Sequence, residues 1–266
     1  MSQSFFSNPQ RSYLLSVVAG CITLACAPAG STRDSFSMVA EIVASYPHDT
    51  DAFTQGLVIH EGRLYEGTGQ YGQSSLREVA LETGSVLRSS RLSRAYFGEG
   101  ITIMGDRVFQ LTWKSGIGAV YDLESFEIDG TFRYEGEGWG LTHDGNLLIL
   151  SDGTSTLRFL DPENFEVVRT VEVVGPDGPI SRLNELEYIR GEVWANIWYQ
   201  DTIVRIDPQT GTVSGVIDLS AVYPQTLRAR EAVANGIAFD ASEQRIYVTG
   251  KYWPQLYEIR LVAPDA

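Results

Sequence analysis

The stretch Tyr96-Phe97-Gly98-Glu99-Gly100-Ile101-Thr102, followed by Leu111-Thr112-Trp113, decides how the rest of the chain is read. Its frame recurs in degenerate form four more times. The residue before each recurring Gly-apolar pair changes: Gln55 before Gly56-Leu57, Glu99 before Gly100-Ile101, Trp139 before Gly140-Leu141, Asn184 before Glu185-Leu186 and Asn235 before Gly236-Ile237. Fourteen positions later the first four copies read Gly69, Trp113, Gly153 and Trp198. In the fifth the hairpin is two residues longer and the equivalent position is Lys251. A constant frame with two variable positions is a scaffold presenting a site.

The variable residues lie 44, 40, 45 and 51 positions apart. Within each interval the chain alternates short β-prone runs with turn signals such as Glu61-Gly62, Gly105-Asp106, Asp144-Gly145 and Arg190-Gly191. Four strands at a period of this length are the signature of a propeller blade. The fifth copy ends after three strands, at residues 255–261, while a β-prone run at 38–44 has no unit of its own. The expectation is an all-β, five-bladed β-propeller over 38–262 whose last blade is closed by the N-terminal strand, which removes exposed edges. A helix is expected only around 227–233.

Before this domain, Tyr13 to Cys26 forms an apolar run ending in Ala27-Pro28-Ala29-Gly30. It is short for a membrane span and reads as an export leader over 1–30, with 31–37 a polar linker. Ala27-x-Ala29 resembles a peptidase site and Val18-Ala19-Gly20-Cys21 a lipobox; the pattern does not choose between them. Either places the mature domain outside the cytoplasm, with membrane contact only through an N-terminal lipid.

The chain of 266 residues carries 20 Lys and Arg against 34 Asp and Glu, a net charge of −14. That argues against nucleic acid, which needs a basic stripe, and weakly favours amine-bearing partners; solubility is the plainer reading. Both cysteines, Cys21 and Cys26, fall in the leader, so the domain has neither disulfide nor cysteine chemistry. His48, His60 and His143 show no ligand spacing, and no G-x-S-x-G elbow is present.

In a propeller the first strand of each blade lines the central channel. Gln55, Glu99, Trp139, Asn184 and Asn235 are therefore expected to ring one mouth, with Trp113, Trp198 and Lys251 returning to the same rim. Aromatic walls around a few fixed polar groups are the make-up of a small-molecule site. Glu99 stands out because flanking glycines sacrifice packing and mark a close approach.

Phe53-Thr54-Gln55-Gly56-Leu57, Phe97-Gly98-Glu99-Gly100, Gly138-Trp139-Gly140-Leu141, Leu183-Asn184-Glu185-Leu186-Glu187, Ala195-Asn196-Ile197-Trp198 and Gly250-Lys251-Tyr252-Trp253-Pro254 resemble the plant and bacterial glutaminyl cyclotransferases. The similarity runs in order over about 40–262. It implies a five-bladed propeller that converts N-terminal glutamine of peptides to pyroglutamate with release of ammonia, without a metal cofactor. The positions matching that family's active site are Phe53, Gln55, Phe97, Glu99, Trp113, Trp139, Asn184, Trp198 and Lys251.

These residue types suit the reaction. The substrate's α-amine attacks its own γ-carboxamide, so orientation, proton transfer and charge stabilisation remain to be supplied. Glu99 is suited to hold the ammonium and move its proton. Burial would raise the Glu99 pKa, and Lys251 and the bound cation would lower it. Asn184 and Lys251 are suited to donate to the oxyanion and Gln55 to fix an amide, while the five aromatic residues wall the side chain from water. Two other readings fit less well. One is an extracytoplasmic propeller that binds peptide N-termini without chemistry. The other is a metal-dependent lactonase-like propeller, for which Glu99, Asn184 and Asn235 are few ligands beside a repelling Lys251. A structural calcium in the channel is compatible with the pattern. A closed ring needs no partner, so a monomer is expected.

Overall fold

A computed structural model describes residues 36–264. The expected leader at 1–30, with both cysteines, and residues 31–35 of the expected linker lie outside the described residues. The described residues are all-β, and their strands follow the intervals of the sequence repeat.

The opening strand is β1 (Ser37–Pro47). The first interval supplies β2 (Thr54–His60), β3 (Arg63–Thr68), β4 (Ser75–Val79) and β5 (Val86–Arg91). The second supplies β6 (Gly98–Met104), β7 (Arg107–Thr112), β8 (Ile117–Asp122) and β9 (Ile128–Arg133). The third supplies β10 (Leu141–His143), β11 (Leu148–Leu150), β12 (Thr156–Leu160) and β13 (Val167–Glu172), with a small hairpin, β14 (Val174–Gly175) and β15 (Gly178–Pro179), after them. β16 (Leu183–Ile189), β17 (Glu192–Ile197), β18 (Thr202–Ile206) and β19 (Val213–Asp218) follow, then β20 (Ala234–Asp240), β21 (Arg245–Gly250) and β22 (Gln255–Val262). The tight hairpins obey their turn residues: Glu61-Gly62 and Arg190-Gly191 both take positive φ at the two central positions, as the twist of a two-residue connection requires.

The first three intervals each form a separate four-stranded sheet in chain order. The rest form one eight-stranded sheet, β16-β17-β18-β19-β1-β22-β21-β20. β1 pairs antiparallel with β22 along most of its length, and its first three residues also run parallel to Val216–Asp218 of β19. The pairing with β22 is the one expected from the sequence; the bridge to β19 is additional.

Five apolar clusters sit where successive groups of strands face each other. Leu76 and Tyr65 meet Ile101 and Val108, Phe109 and Leu111 meet Leu148 and Leu150, and Phe159 meets Val193 and Ile206. Trp194 and Ile203 then meet Ile237 and Val248, and Tyr247 returns to Leu57 and Leu64. The packing is therefore cyclic, and burial of these faces is the main stabilising term.

The same cycle explains the recurring glycine. A Cβ on Gly56 would stand 2.4 Å from the Ile101 nitrogen, one on Gly100 2.6 Å from the Leu141 nitrogen, and one on Gly140 1.9 Å from the Asn184 carbonyl oxygen. Inner strands thus touch backbone to backbone. Glu185 takes this place in the fourth copy because its buried carboxyl reaches across, accepting the N–H of Leu57 at 3.3 Å and of Ile237 at 2.8 Å.

The helix expected around 227–233 is absent. Only Gln225–Leu227 makes a 3-10 turn, and Arg228 is already extended. The side chains of this loop are drawn apart: the Arg228 guanidinium pairs with Asp201, and Glu231 accepts from Tyr199. Leu227 is exposed, and of the segment's apolar residues only Ala232 and Val233, at its end, are buried, too few to dock a helix.

Candidate active site

Gln55, Glu99, Asn184 and Asn235 are each the second residue of an inner strand, and at each the register with the following strand slips by a bulge or irregularity. A bulge re-aims a side chain and leaves its residue unpaired in the ladder. Trp113, Trp198 and Lys251 come directly after β7, β17 and β21. Their N–H groups donate to the carbonyls of Phe97, Arg182 and Val233, at 2.9 Å in each case, closing the mouth of each hairpin. The repeat thus builds a fixed gap with a bulged residue on one side and a capping residue on the other.

These gaps open on one pocket of about 500 Å³. Its lining contains all nine residues singled out in the sequence, Phe53, Gln55, Phe97, Glu99, Trp113, Trp139, Asn184, Trp198 and Lys251, together with Glu231 and Val233. Asn235 is the exception to the expected ring. It is fully buried behind the pocket, donating from Nδ2 to the Thr54 carbonyl at 3.0 Å and to Gln55 Oε1 at 3.1 Å. That bond commits the Gln55 oxygen and turns its amide N–H toward Glu99, which accepts from it.

The aromatic wall is made of edge-to-face contacts. Tyr252 meets Phe53 at 5.3 Å, Phe53 meets Phe97 and Phe97 meets Trp113, both at 5.7 Å; on the other side Trp139 meets Trp198 at 5.3 Å. The glycines at the repeat's second variable position make room for these rings. A Cβ on Gly69 would lie 2.4 Å from Phe97 Cε1, and one on Gly153 2.7 Å from Trp139 Cζ2. The two copies with a glycine there supply space for a ring instead, Gly69 for Phe97 of the next copy and Gly153 for Trp139 of its own.

Glu99 and Lys251 are both buried in this apolar setting. Desolvation raises Glu99 well above the usual carboxylate range, outweighing the pull of Lys251 and the Gln55 hydrogen bond, and the nearby Glu137 adds to the rise. For Lys251, burial lowers the pKa to about 8 against the attraction of Glu99 and Glu231. Its Nζ lies 4.4 Å from the centre of the Phe53 ring, a cation–π contact. Between the two influences weighed from the sequence, burial wins. Asn184 Oδ1 is buried without a hydrogen-bond partner among the protein groups, an acceptor free for a bound N–H.

A second buried cluster braces the rim. Glu66 of β3 accepts from Thr54 Oγ1 at 2.7 Å and from Arg77, and pairs with His48 Nε2 at 3.0 Å. His48 Nδ1 lies 2.7 Å from the Trp253 carbonyl. Both imidazole nitrogens therefore face acceptors. Burial alone would lower the His48 pKa, but Glu66 and the carbonyl carry it upward. Burial would likewise raise Glu66, yet His48, Arg77 and Thr54 hold it at about 2. The cluster ties the loop carrying Lys251 to the strand carrying Gln55.

The sequence reading missed Glu137, Glu231 and Val233. Glu137 had a usable signal, since Gly136-Glu137-Gly138 repeats the glycine flanks of Glu99. Glu231 had none, because its loop was read as helical. Among the described residues no group of three His, Cys, Asp or Glu side chains is arranged to hold a metal ion.

An all-β domain with cyclically packed sheets, in which an aromatic-walled pocket confronts a buried carboxyl with a buried amine, defines a small-molecule or chain-terminus enzyme site. The chain belongs to the glutamine cyclotransferase family, whose sequence model matches residues 14–261. A glutaminyl-peptide cyclotransferase of Arabidopsis thaliana is 45% identical over 232 residues, covering 85% of this chain and 72% of the plant protein. The crystal structure of Myxococcus xanthus glutaminyl cyclase superposes with a TM-score of 0.81 at 42% identity, covering 86% of this chain and 99% of the other.

Proposed function

We propose that the protein is a glutaminyl-peptide cyclotransferase that closes N-terminal glutamine to pyroglutamate and releases ammonia. The observation that carries this is the buried Glu99 facing Lys251 inside an aromatic pocket, in a chain 45% identical to a plant enzyme of that name. The arrangement of strands and the five apolar junctions support a five-bladed propeller whose last blade is completed by β1.

An N-terminal amine has a pKa near 8 and arrives mostly as ammonium. Glu99 is the group suited to take its proton, and its raised pKa brings donor and acceptor closer to balance, which favours efficient transfer. The freed amine attacks the γ-carbonyl carbon, the C–N bond of the lactam forms, and negative charge collects on the carbonyl oxygen. The Lys251 ammonium and the Asn184 amide are the donors suited to that oxygen. Glu99 then gives its proton to the departing nitrogen, the old C–N bond breaks, and ammonia leaves. The second proton of the attacking nitrogen passes through the same carboxylate to the ammonia, which restores the starting state. Gln55, oriented by Asn235, holds Glu99. The five aromatic residues enclose the glutamine side chain and limit water, which would otherwise hydrolyse the amide.

No step in this route needs a metal, and we infer a metal-independent, monomeric enzyme acting on peptides or proteins that begin with glutamine. The test is ammonia release from a Gln-initiated dipeptide with and without a chelator. Release that survives chelation, with a product lighter by one ammonia, is expected. Binding of the peptide without release would overturn the catalytic reading and leave a recognition domain.

A further inference from the structure

The aromatic wall has a joint. On one side Phe53, Phe97 and Trp113 touch ring to ring, and on the other Trp139 touches Trp198; among the described residues no ring contact links Trp113 to Trp139. The two indoles come from different sheets, Trp113 after β7 and Trp139 before β10. One carboxylate oxygen fills the gap. Glu137 Oε2 accepts the Trp113 Nε1–H at 2.7 Å and the Trp139 Nε1–H at 2.9 Å. The other oxygen faces Lys114 Nζ at 3.8 Å, and that ammonium lies 3.9 Å from the centre of the Trp113 ring.

The backbone under Glu137 is itself fixed. Arg158 of β12 donates from Nη2 to the Glu137 carbonyl at 2.9 Å and from Nη1 to the Glu135 carbonyl, while its guanidinium pairs with Asp152. The Gly138 N–H donates to the Trp113 carbonyl at 3.0 Å. The loop is thus held by both sheets whose indoles it joins. Glu137 does not line the pocket, so it reaches substrate only through the two rings.

We propose that Glu137 is a positioning residue of the pocket, whose single carboxylate sets the angle between the Trp113 and Trp139 indoles and so shapes the slot for the substrate's side chain. This rests on the cyclotransferase reading for its substrate. A charge-assisted hydrogen bond from an indole N–H is directional, and one acceptor shared by two donors fixes both planes at once. The same negative charge adds to the upward shift of Glu99, which gives the proposal a second, electrostatic signature.

The test compares the wild type with Glu137→Ala and Glu137→Gln on a Gln-initiated dipeptide. Glu137→Ala is expected to raise KM about tenfold or more, the usual scale for losing a charge-assisted hydrogen bond. Glu137→Gln keeps an acceptor oxygen and should recover much of that KM. Both should move the acid limb of the pH–rate profile to lower pH, because the charge that raises Glu99 is gone. Tryptophan emission, read without substrate, should shift in Glu137→Ala. Unchanged KM and unchanged emission in Glu137→Ala would overturn the proposal. So would equal losses in both variants that merely follow a fall in Tm. A wild type that releases no ammonia would sink the functional reading instead, while the emission shift would still report whether Glu137 orients the indoles.

Discussion

At the scale of single residues, the pocket is a contest between burial and charge, and Glu99 and Lys251 carry it. Glu99→Gln keeps the shape and removes the proton carrier. It is expected to lower kcat by about 10²–10⁴-fold, the range for a positioned acid–base group, with an unchanged far-UV circular dichroism spectrum. Wild-type kcat would refute that role. Lys251, brought down to about 8 by burial against the pull of Glu99, is charged below that pH and neutral above it. As an oxyanion donor it should therefore make kcat decline as pH rises through about 8, and a kcat that climbs steadily to pH 10 would exclude its charged form from the chemistry. Seven of the nine lining residues were legible because each sits at one of two fixed places in a repeat, and Phe53 and Phe97 were legible through the family resemblance. Asn235 shows where that logic stops. It occupies the same repeat position, yet its amide nitrogen donates to Thr54 and Gln55, a choice made by a neighbouring strand that the repeat does not encode.

At the scale of elements, the hairpin gap is the unit of construction, and the alternation of Gly69, Trp113, Gly153 and Trp198 is its packing rule. Gly69→Ala places a methyl group against Phe97 and Phe53. Overpacking of this kind costs about 1–3 kcal/mol, and here the ring tips that must yield belong to the pocket. The expected outcome is a several-fold rise in KM with a modest fall in Tm. A variant that loses Tm and keeps KM would place those rings outside the substrate's reach. Strands were readable from alternation and turn pairs, and the two-residue hairpins from Glu61-Gly62 and Arg190-Gly191. The bulges at Gln55, Glu99, Asn184 and Asn235 were not, since a bulge is a matter of register between two strands. Nor was the loop bearing Glu231. Its helix-forming composition at 227–233 is overridden by Arg228 turning to Asp201 and Glu231 to Tyr199.

At the scale of the whole molecule, buried charge couples stability to pH. Glu66 sits at about 2 in the fold against an ordinary value of 4.5. A depressed carboxylate contributes stability that is present above its unfolded pKa and disappears as pH falls through the folded one. A drop of about 3 kcal/mol between pH 5 and 2 is expected from this group, at about 1.4 kcal/mol per unit. Denaturant titrations across that range should find it in the wild type and not in Glu66→Gln; equal acid sensitivity of both would assign the loss elsewhere. The all-β architecture was legible from strand count and period, whereas the join of β1 to β19 was not, because no pattern marks Ser37, Met38 and Val39 as partners of a second strand. That first strand also sets an order of events. β1 is the earliest described strand to leave the ribosome, and its long partner β22 is the last; Tyr46 waits for Leu256 and Val39 for Val262. Contacts this distant in sequence close late, because loop entropy is lost before they repay it. During synthesis the edge of β1 that faces β22 stays unpaired until all the other described strands have emerged, so the strand that starts the fold is sealed by the one that ends it.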